Sequence, residues 1–567
     1  MKDTHPASIA CPLLMALVFL SCAGQVPPGG GPPDAIPPMV VRTFPDTNAV
    51  RVETDRIELE FSEYVERRSL EESIFISPYL GDLEFDWSGS SVTIRFSEKL
   101  RKDATYVVNI GTDVVDIRAK NRMGSGFTLA FATGDSIDRG WIGGRVFDPK
   151  PEGVMVFAYA LSGINADTLD PARLRPDYIM QTGKNGVFAL SNIAFGTYRL
   201  FAVRDEYRNL IYDREVDQFG VGREDVTIGP LFPRFEEVRF RLSREDTTRP
   251  FVASATATTR RHIDVRFSEA VDSLSISPSS FVVSDTVKAA PVAILTAFSR
   301  VGAPAVVGLI TKEPMDSAGS YRVWVHAIAD RAGNRLDTLH SSAPFSGSSR
   351  PDTIRATVTL AELRDSVRGV SPDRSFPMIF SEPVRQEALL HAVALRDSLR
   401  RIVPARLRWM NATDALLVPD QSLRSKEWYT LSVLMDSAKD LRGMLYRDSA
   451  LVVRFETLDL RTTGSIDGTV ADEVKQAGKY FVTASTLDQN PVVERTVAIG
   501  RPGKFAVDRL PEGRYIVAAY QDIDSTGSYS YGRPFPFVPS ERFTVYPDTV
   551  KVRARWGVEG VKIDFRK

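Results

Sequence analysis

Three serine–glutamate pairs recur within the same Phe-Ser-Glu-x-Val motif, Ser62-Glu63, Ser268-Glu269 and Ser381-Glu382. A serine next to a carboxylate is half of an acyl-transfer site. The other half is an oriented base and a set of oxyanion donors. No histidine recurs beside any of the three pairs, so they read as a structural turn device. The five histidines (His5, His262, His326, His340, His391) are scattered, with no pair at metal-ligand spacing. The two cysteines, Cys11 and Cys22, both lie in the first 22 residues, which leaves the rest of the chain without a disulfide framework, a thiolate nucleophile or a cysteine-based metal site. Oxygen ligands occur along Asp205–Asp217 in a spacing loosely like that of a calcium loop. Leu210 stands where such a loop turns on glycine, and Val216 where it ends on a bidentate glutamate. The stretch reads as a solvated, charged hairpin, and Asp522-Ile-Asp524 is a thinner version of it. The sequence therefore predicts no catalytic residue, no metal and no cofactor, and not an enzyme.

Aromatic side chains offer a second chemistry, stacking against sugars. Trp87, Trp141, Trp324 and Trp428 fall at strand positions and are expected in the core. Tyr529 and Tyr531 belong to Tyr-Ser-Tyr-Gly-Arg-Pro-Phe-Pro-Phe, where proline and glycine impose a loop, and they are the candidate ligand-contact residues.

The remaining chemistry is at the N-terminus. Ile9–Leu20 is an apolar run of signal-peptide length, too short for the roughly 20 residues a membrane-spanning helix needs. It leads into Phe19-Leu20-Ser21-Cys22-Ala23. A small residue followed by cysteine after such a run resembles the bacterial lipobox, with Phe19 standing where that pattern usually has leucine. The resemblance implies cleavage after Ser21 and acylation of Cys22. No aspartate follows the cysteine, which under the same resemblance favours the outer membrane. Next comes Ala-Gly-Gln-Val-Pro-Pro-Gly-Gly-Gly-Pro-Pro-Asp, unable to form helix or central strand, and read as a tether.

Behind these residues stands a chain of 567 amino acids, enough for about three to five domains. Its 43% hydrophobic and 25% charged content is that of a globular protein. Lys+Arg 71 against Asp+Glu 72 gives a net charge of -1, so no basic field exists to hold nucleic acid. Internal repeats supply the organisation. Phe-Ser-Glu-x-Val closes an alternating strand pattern at residues 61–65, 267–271 and 380–384. Each copy is followed by a tyrosine-led strand (Tyr106, Tyr321, Tyr429) and an Asp/Gly/Asn turn (Asp116–Asn121, Asp330–Asn334, Asp440–Gly443). In the third copy Arg385–Arg401 is charged and helix-permissive. A second repeat relates Gly140–Val146 to Gly464–Val470, and Gly196-Thr-Tyr198 to Gly513-Arg-Tyr515, with Phe188 and Phe505 expected to point inward.

The first repeat resembles the bacterial Ig-like domain of the surface-layer (SbsA-like) type, in lipoproteins of the Bacteroidota kind. The second resembles the carboxypeptidase-regulatory-like, prealbumin-type sandwich, a non-catalytic accessory module. The expected architecture is all-β, a series of tandem Ig-like and prealbumin-like β-sandwiches after a signal peptide and a Pro/Gly tether. The expected order is signal peptide 1–21, tether 22–35, Ig-like 36–135, regulatory-like 139–245, Ig-like 248–347, Ig-like 350–459 and regulatory-like 463–567. The implied function is that of a lipid-anchored, non-catalytic envelope protein of the outer membrane, facing periplasm or exterior. Its modules would bind an envelope protein or a glycan in a structural or adhesive role. The alternative is a carbohydrate-binding accessory lipoprotein.

Overall fold

The computed structural model describes residues 34–565 apart from 354, 435–440, 442–449, 475–476 and 488–491. Ser21, Cys22, the signal peptide, most of the tether and most of the turn at Asp440–Gly443 lie outside the described residues. The chain is all-β, and among the described residues no helix is long and apolar enough to cross a membrane. It divides into two units. The first runs to Leu169 and adds Leu174–Ile211 and Glu224–Phe240; the second holds Asp170–Arg173, Tyr212–Arg223 and everything from Arg241 onward.

In the first unit, strands Val40–Phe44, Arg56–Phe61, Ser91–Phe96 and Leu83–Ser88 form one sheet in that spatial order. Ile74–Ser77, Thr105–Ile110 and Phe127–Ala132 form the opposing sheet. The two-residue period decides what is buried: Ile57, Leu59 and Phe61 face the core, and Glu58 and Glu60 alternate outward. A second sandwich follows, with Tyr178–Gln181, Met155–Ala160 and Gly196–Arg204 on one side and Val187–Ile193, Gly140–Phe147 and Arg234–Arg241 on the other. Gly144 is dictated by close approach, since a Cβ there would run into the carbonyl oxygen of Val238.

The second unit contains three further cores. One is centred on Val265, Val307 and Val323, one on Met378, Leu431 and Phe455, and one on Ile466, Val482 and Val517. The first two each sit between a pair of four-stranded sheets. The last repeats the sandwich of Gly140–Phe147, down to Gly468, where a Cβ would meet the carbonyl of Val561. Between Arg385 and Arg401 only Gln386–Leu389 is helical; Val393–Arg396 is a strand, because Leu395 is needed in the core.

The repeated tyrosines explain why these motifs recur. Tyr106, Tyr321 and Tyr429 each accept, at the phenol oxygen, the backbone N–H five residues upstream (Arg101, Asp316, Arg424), all at 2.8 Å. Each ring also stacks on a phenylalanine of the closing strand: Phe131 at 5.5 Å, Phe345 at 5.5 Å and Phe455 at 5.8 Å. Tyr198 and Tyr515 use a different hook, donating to the carbonyls four residues upstream, Ala194 at 2.7 Å and Pro511 at 2.8 Å. Such a phenol-to-backbone bond fixes the loop that feeds the strand. Phe188 and Phe505 are buried.

Candidate functional site

The Phe-Ser-Glu ends are where polar groups gather. In all three copies the serine is committed to the backbone. The Ser62 hydroxyl accepts the amide of Met39 (3.1 Å), Ser268 that of Phe251 (3.0 Å) and Ser381 that of Thr357 (2.9 Å). Each serine amide returns a bond to the same partner residue, at 2.8, 3.0 and 2.9 Å. The serine thus clips the opening strand of its sandwich to the second strand.

The Asp/Asn turn completes the device. Asp116 accepts from the backbone amides of Ala119, Lys120 and Asn121. Burial opposes its ionisation, but these donors outweigh it and hold the carboxyl below the ordinary aspartate range. The Asn121 side chain then reaches the carbonyl of Asp34 at 3.0 Å, and Asn334 reaches that of Asp246 at 2.8 Å.

The glutamates diverge. Glu63 is pushed upward by desolvation and by the charges of Asp116 and Asp34; Glu269 likewise by desolvation, Asp246 and Asp330. Asp246, Glu269 and Asp330 each bring an oxygen within 4.8 Å of the others, as do Asp522, Asp524 and Glu541. In the latter group the oxygens are already bonded to protein. Asp522 accepts from Thr526 and Gly527, Asp524 from Thr526 and Ser530, and Glu541 from Ile523 and Ser530.

Glu382 has a different environment. Its side chain is 1% exposed and lies 3.8 Å from His262 Nε2 and 3.9 Å from Arg300 Nη1. His262, equally buried, is 3.6 Å from Asp352 through Nδ1, and its ring meets Phe298 edge-on at 5.9 Å. Arg300 also pairs with Asp264 at 2.6 Å. A histidine, an arginine and a carboxylate of the second Ig-like repeat thus meet two carboxylates of the third. Sequence reasoning missed this junction. Its only signal was that Glu382 belongs to a recurring motif.

The candidate ligand-contact tyrosines are placed together but are engaged by the chain. The Tyr529 ring is edge-on to Tyr520, Tyr531 and Phe543 at 5.9, 4.9 and 5.5 Å. The guanidinium of Arg241 lies 4.9 Å from the Tyr529 ring centre and 4.4 Å from that of Phe543. Burial raises the Tyr529 phenol to about 12 and lowers Arg241. Tyr531 remains 37% exposed.

The four tryptophans expected in the core are only half-buried. Trp87 packs against the core of its sandwich, whereas Trp324 and Trp428 alternate outward because Tyr321 and Tyr429 take the inner face. Arg234 covers Trp141 at 4.3 Å. Asp205 caps the amides of Asn209 and Leu210, and Asp217 accepts the amide of Asp213 at 2.8 Å. A cleft of about 980 Å³ in the first unit is lined by Asn121, Gln181, Lys184 and Asn185 together with apolar groups such as Phe75 and Met180.

Residues 34–133 match the family described as bacterial Ig-like domain. The match takes in the first sandwich with its clipped opening strand and Asp/Asn turn. No curated protein matches the chain. Among solved structures, the N-terminal part of the bacterial S-layer protein SbsC is 12% identical, over 37% of this chain and 44% of that one, with a TM-score of 0.17. The chain thus spans less than half of that structure. Domains 1–6 of SbsC are 9% identical over 91% of this chain and 67% of that one, TM-score 0.16. L,D-transpeptidase 1 of Mycobacterium tuberculosis is 12% identical over 35% and 90%, TM-score 0.17. Likenesses this low carry no functional conclusion.

Proposed function

We propose that this chain is a non-catalytic, lipid-anchored envelope protein of the outer membrane, whose tandem sandwiches serve structural or adhesive binding of an envelope protein or a glycan. One observation carries the non-catalytic part. The serine–glutamate pair recurs in the three Phe-Ser-Glu-x-Val copies, and in all three the serine hydroxyl accepts a backbone amide at the opening strand. A serine so held is oriented by the fold and not by a base. The anchor rests on Ser21-Cys22 behind the apolar run, and the exclusion of nucleic acid on the net charge of -1.

The test is metabolic palmitate labelling of the wild type and Cys22→Ala, with protease shaving of intact cells. Label in the wild type and none in the variant supports the anchor; an unlabelled, soluble wild type overturns it. Shaving assigns the face.

The accessory carbohydrate-binding reading has one observation in its favour, the amide-lined cleft of Asn121, Gln181 and Asn185. Binding on a glycan array that is lost in Asn185→Ala would favour it over the first reading.

A further inference from the structure

The first sandwich carries four large apolar side chains in the open at the end where the chain enters it. Ile36, Met39, Tyr64 and Ile117 are 69%, 56%, 58% and 51% exposed. Hydrogen bonds hold their segments together. The Met39 amide donates to the Ser62 hydroxyl and the Met39 carbonyl accepts the Ser62 amide, Ile117 donates to the Tyr64 carbonyl at 3.1 Å, and the Asn121 side-chain amide reaches the carbonyls of Asp34 and Ile36 at 3.0 and 3.4 Å. Arg67, Arg68, Arg118 and Lys120 are exposed on the same stretches. Lys120 pairs with Glu66 and Arg68 with Glu72, both on the surface.

The fold does not require this apolar face. The next Ig-like repeat builds the same end with the same bonds, Phe251 to Ser268 and Asn334 to Asp246. At the positions matching Ile36, Met39, Tyr64 and Ile117 it has Thr248, Phe251, Ala270 and Arg331. Three of the four apolar groups are therefore replaced where the backbone device is unchanged.

The neighbour of this end along the chain identifies what would cover it. Asp34 stands twelve positions after Cys22. Fully extended, that stretch reaches about 40 Å, so an acyl group on Cys22 keeps this end within that distance of the bilayer. Aliphatic side chains with an amphipathic tyrosine and flanking arginine and lysine are the composition that partitions into a headgroup interface.

We infer that this end of the first sandwich is a membrane-contacting face, with Ile36, Met39, Tyr64 and Ile117 seated among the lipid headgroups and Arg118 and the neighbouring basic residues over anionic ones. The inference takes its orientation from the anchored reading proposed above, and its test is separable from it.

Cysteines for a spin label are introduced as Ile117→Cys and, at the opposite end of the same sandwich, Val50→Cys, which is 44% exposed, and the signal of the labelled wild type, which carries only Cys11 and Cys22, is subtracted. The full chain is mixed with vesicles of phosphatidylethanolamine and phosphatidylglycerol. Collision of each label with oxygen and with a water-soluble nickel chelate is then compared. The expected result is an oxygen-to-nickel ratio at residue 117 about threefold or more above that at residue 50, falling towards it when Met39 and Tyr64 are both changed to serine. Equal, water-like ratios at the two sites overturn the membrane face. Flotation of the chain with the vesicles is recorded separately and reports on the anchor, so a chain that floats with a water-like label at 117 fails this inference alone.

Discussion

Replacing Glu382 by alanine should loosen the joint between the second and third Ig-like repeats without unfolding either. The carboxylate is 1% exposed and faces His262 at 3.8 Å and Arg300 at 3.9 Å. Removing one member of a buried ion pair typically costs about 3–5 kcal/mol, because the partner is left charged and desolvated. Here the loss is softened. Arg300 keeps Asp264 at 2.6 Å and its side chain is 20% exposed, while His262 keeps Asp352 at 3.6 Å. A cost of about 2–3 kcal/mol is therefore expected, at or below the bottom of that range. A chain of several cores does not unfold in two states, so a global midpoint is the wrong measurement. Amide hydrogen exchange resolves the local effect. In the strands His262–Phe267 and Phe376–Phe380, exchange through opening of the joint should accelerate about 30- to 150-fold, at 1.36 kcal/mol per decade. Strands of the last sandwich, such as Lys479–Thr486, should be unchanged. Acceleration below about threefold, or an equal effect in the last sandwich, would refute the assignment of Glu382 as an inter-repeat anchor.

Other outcomes follow from the same geometry. Ser268→Ala removes the acceptor for the Phe251 amide and should destabilise its sandwich by about 0.5–1.5 kcal/mol, read from local exchange in Val252–Ala257. Glu63 and Glu269 have folded-state pKa values raised above the ordinary 4.5, so the folded chain binds protons more tightly than the unfolded one. Their contribution to stability should be gained as pH falls through the raised values and be complete below 4.5, and Glu269→Gln should flatten that slope in urea titrations. Arg241→Ala empties the space between Tyr529 and Phe543. Proteolysis in the Tyr529–Phe537 loop should then accelerate about tenfold, in line with loss of a desolvated cation–π contact.

The sequence made the strands legible because alternation in segments such as Ile57–Phe61 records which face is buried. It also marked Phe-Ser-Glu as a recurring turn device. What the device does was not legible, because Ser62, Ser268 and Ser381 act on residues 23, 17 and 24 positions away. The tyrosine-led strands were visible, but their stacking on Phe131, Phe345 and Phe455 depends on how two sheet strands register. Tyr529 and Tyr531 were read as open because proline and glycine place them in a loop. Loop chemistry says nothing about Arg241, far upstream, filling the space between the rings. The three motif glutamates look alike in the sequence and differ in the fold for the same reason. Two face the aspartates of their own repeat, and one faces a histidine and an arginine of another. Arg385–Arg401 favoured helix by local propensity, and burial of Leu395 overrode it.

The tyrosine hooks also set rules for remodelling this chain. A phenol that must meet an amide five residues back, or a carbonyl four residues back, tolerates no change in spacer length. Insertions directly before Tyr106, Tyr198, Tyr321, Tyr429 or Tyr515 would slide the following strand out of register. The hairpins at Gly89 and Gly302 carry no such measure: each turns at positive φ, with nothing within 4 Å of where a side chain would begin. Epitope tags or grafted binding peptides belong there, where the scaffold can lengthen without its cores being recut.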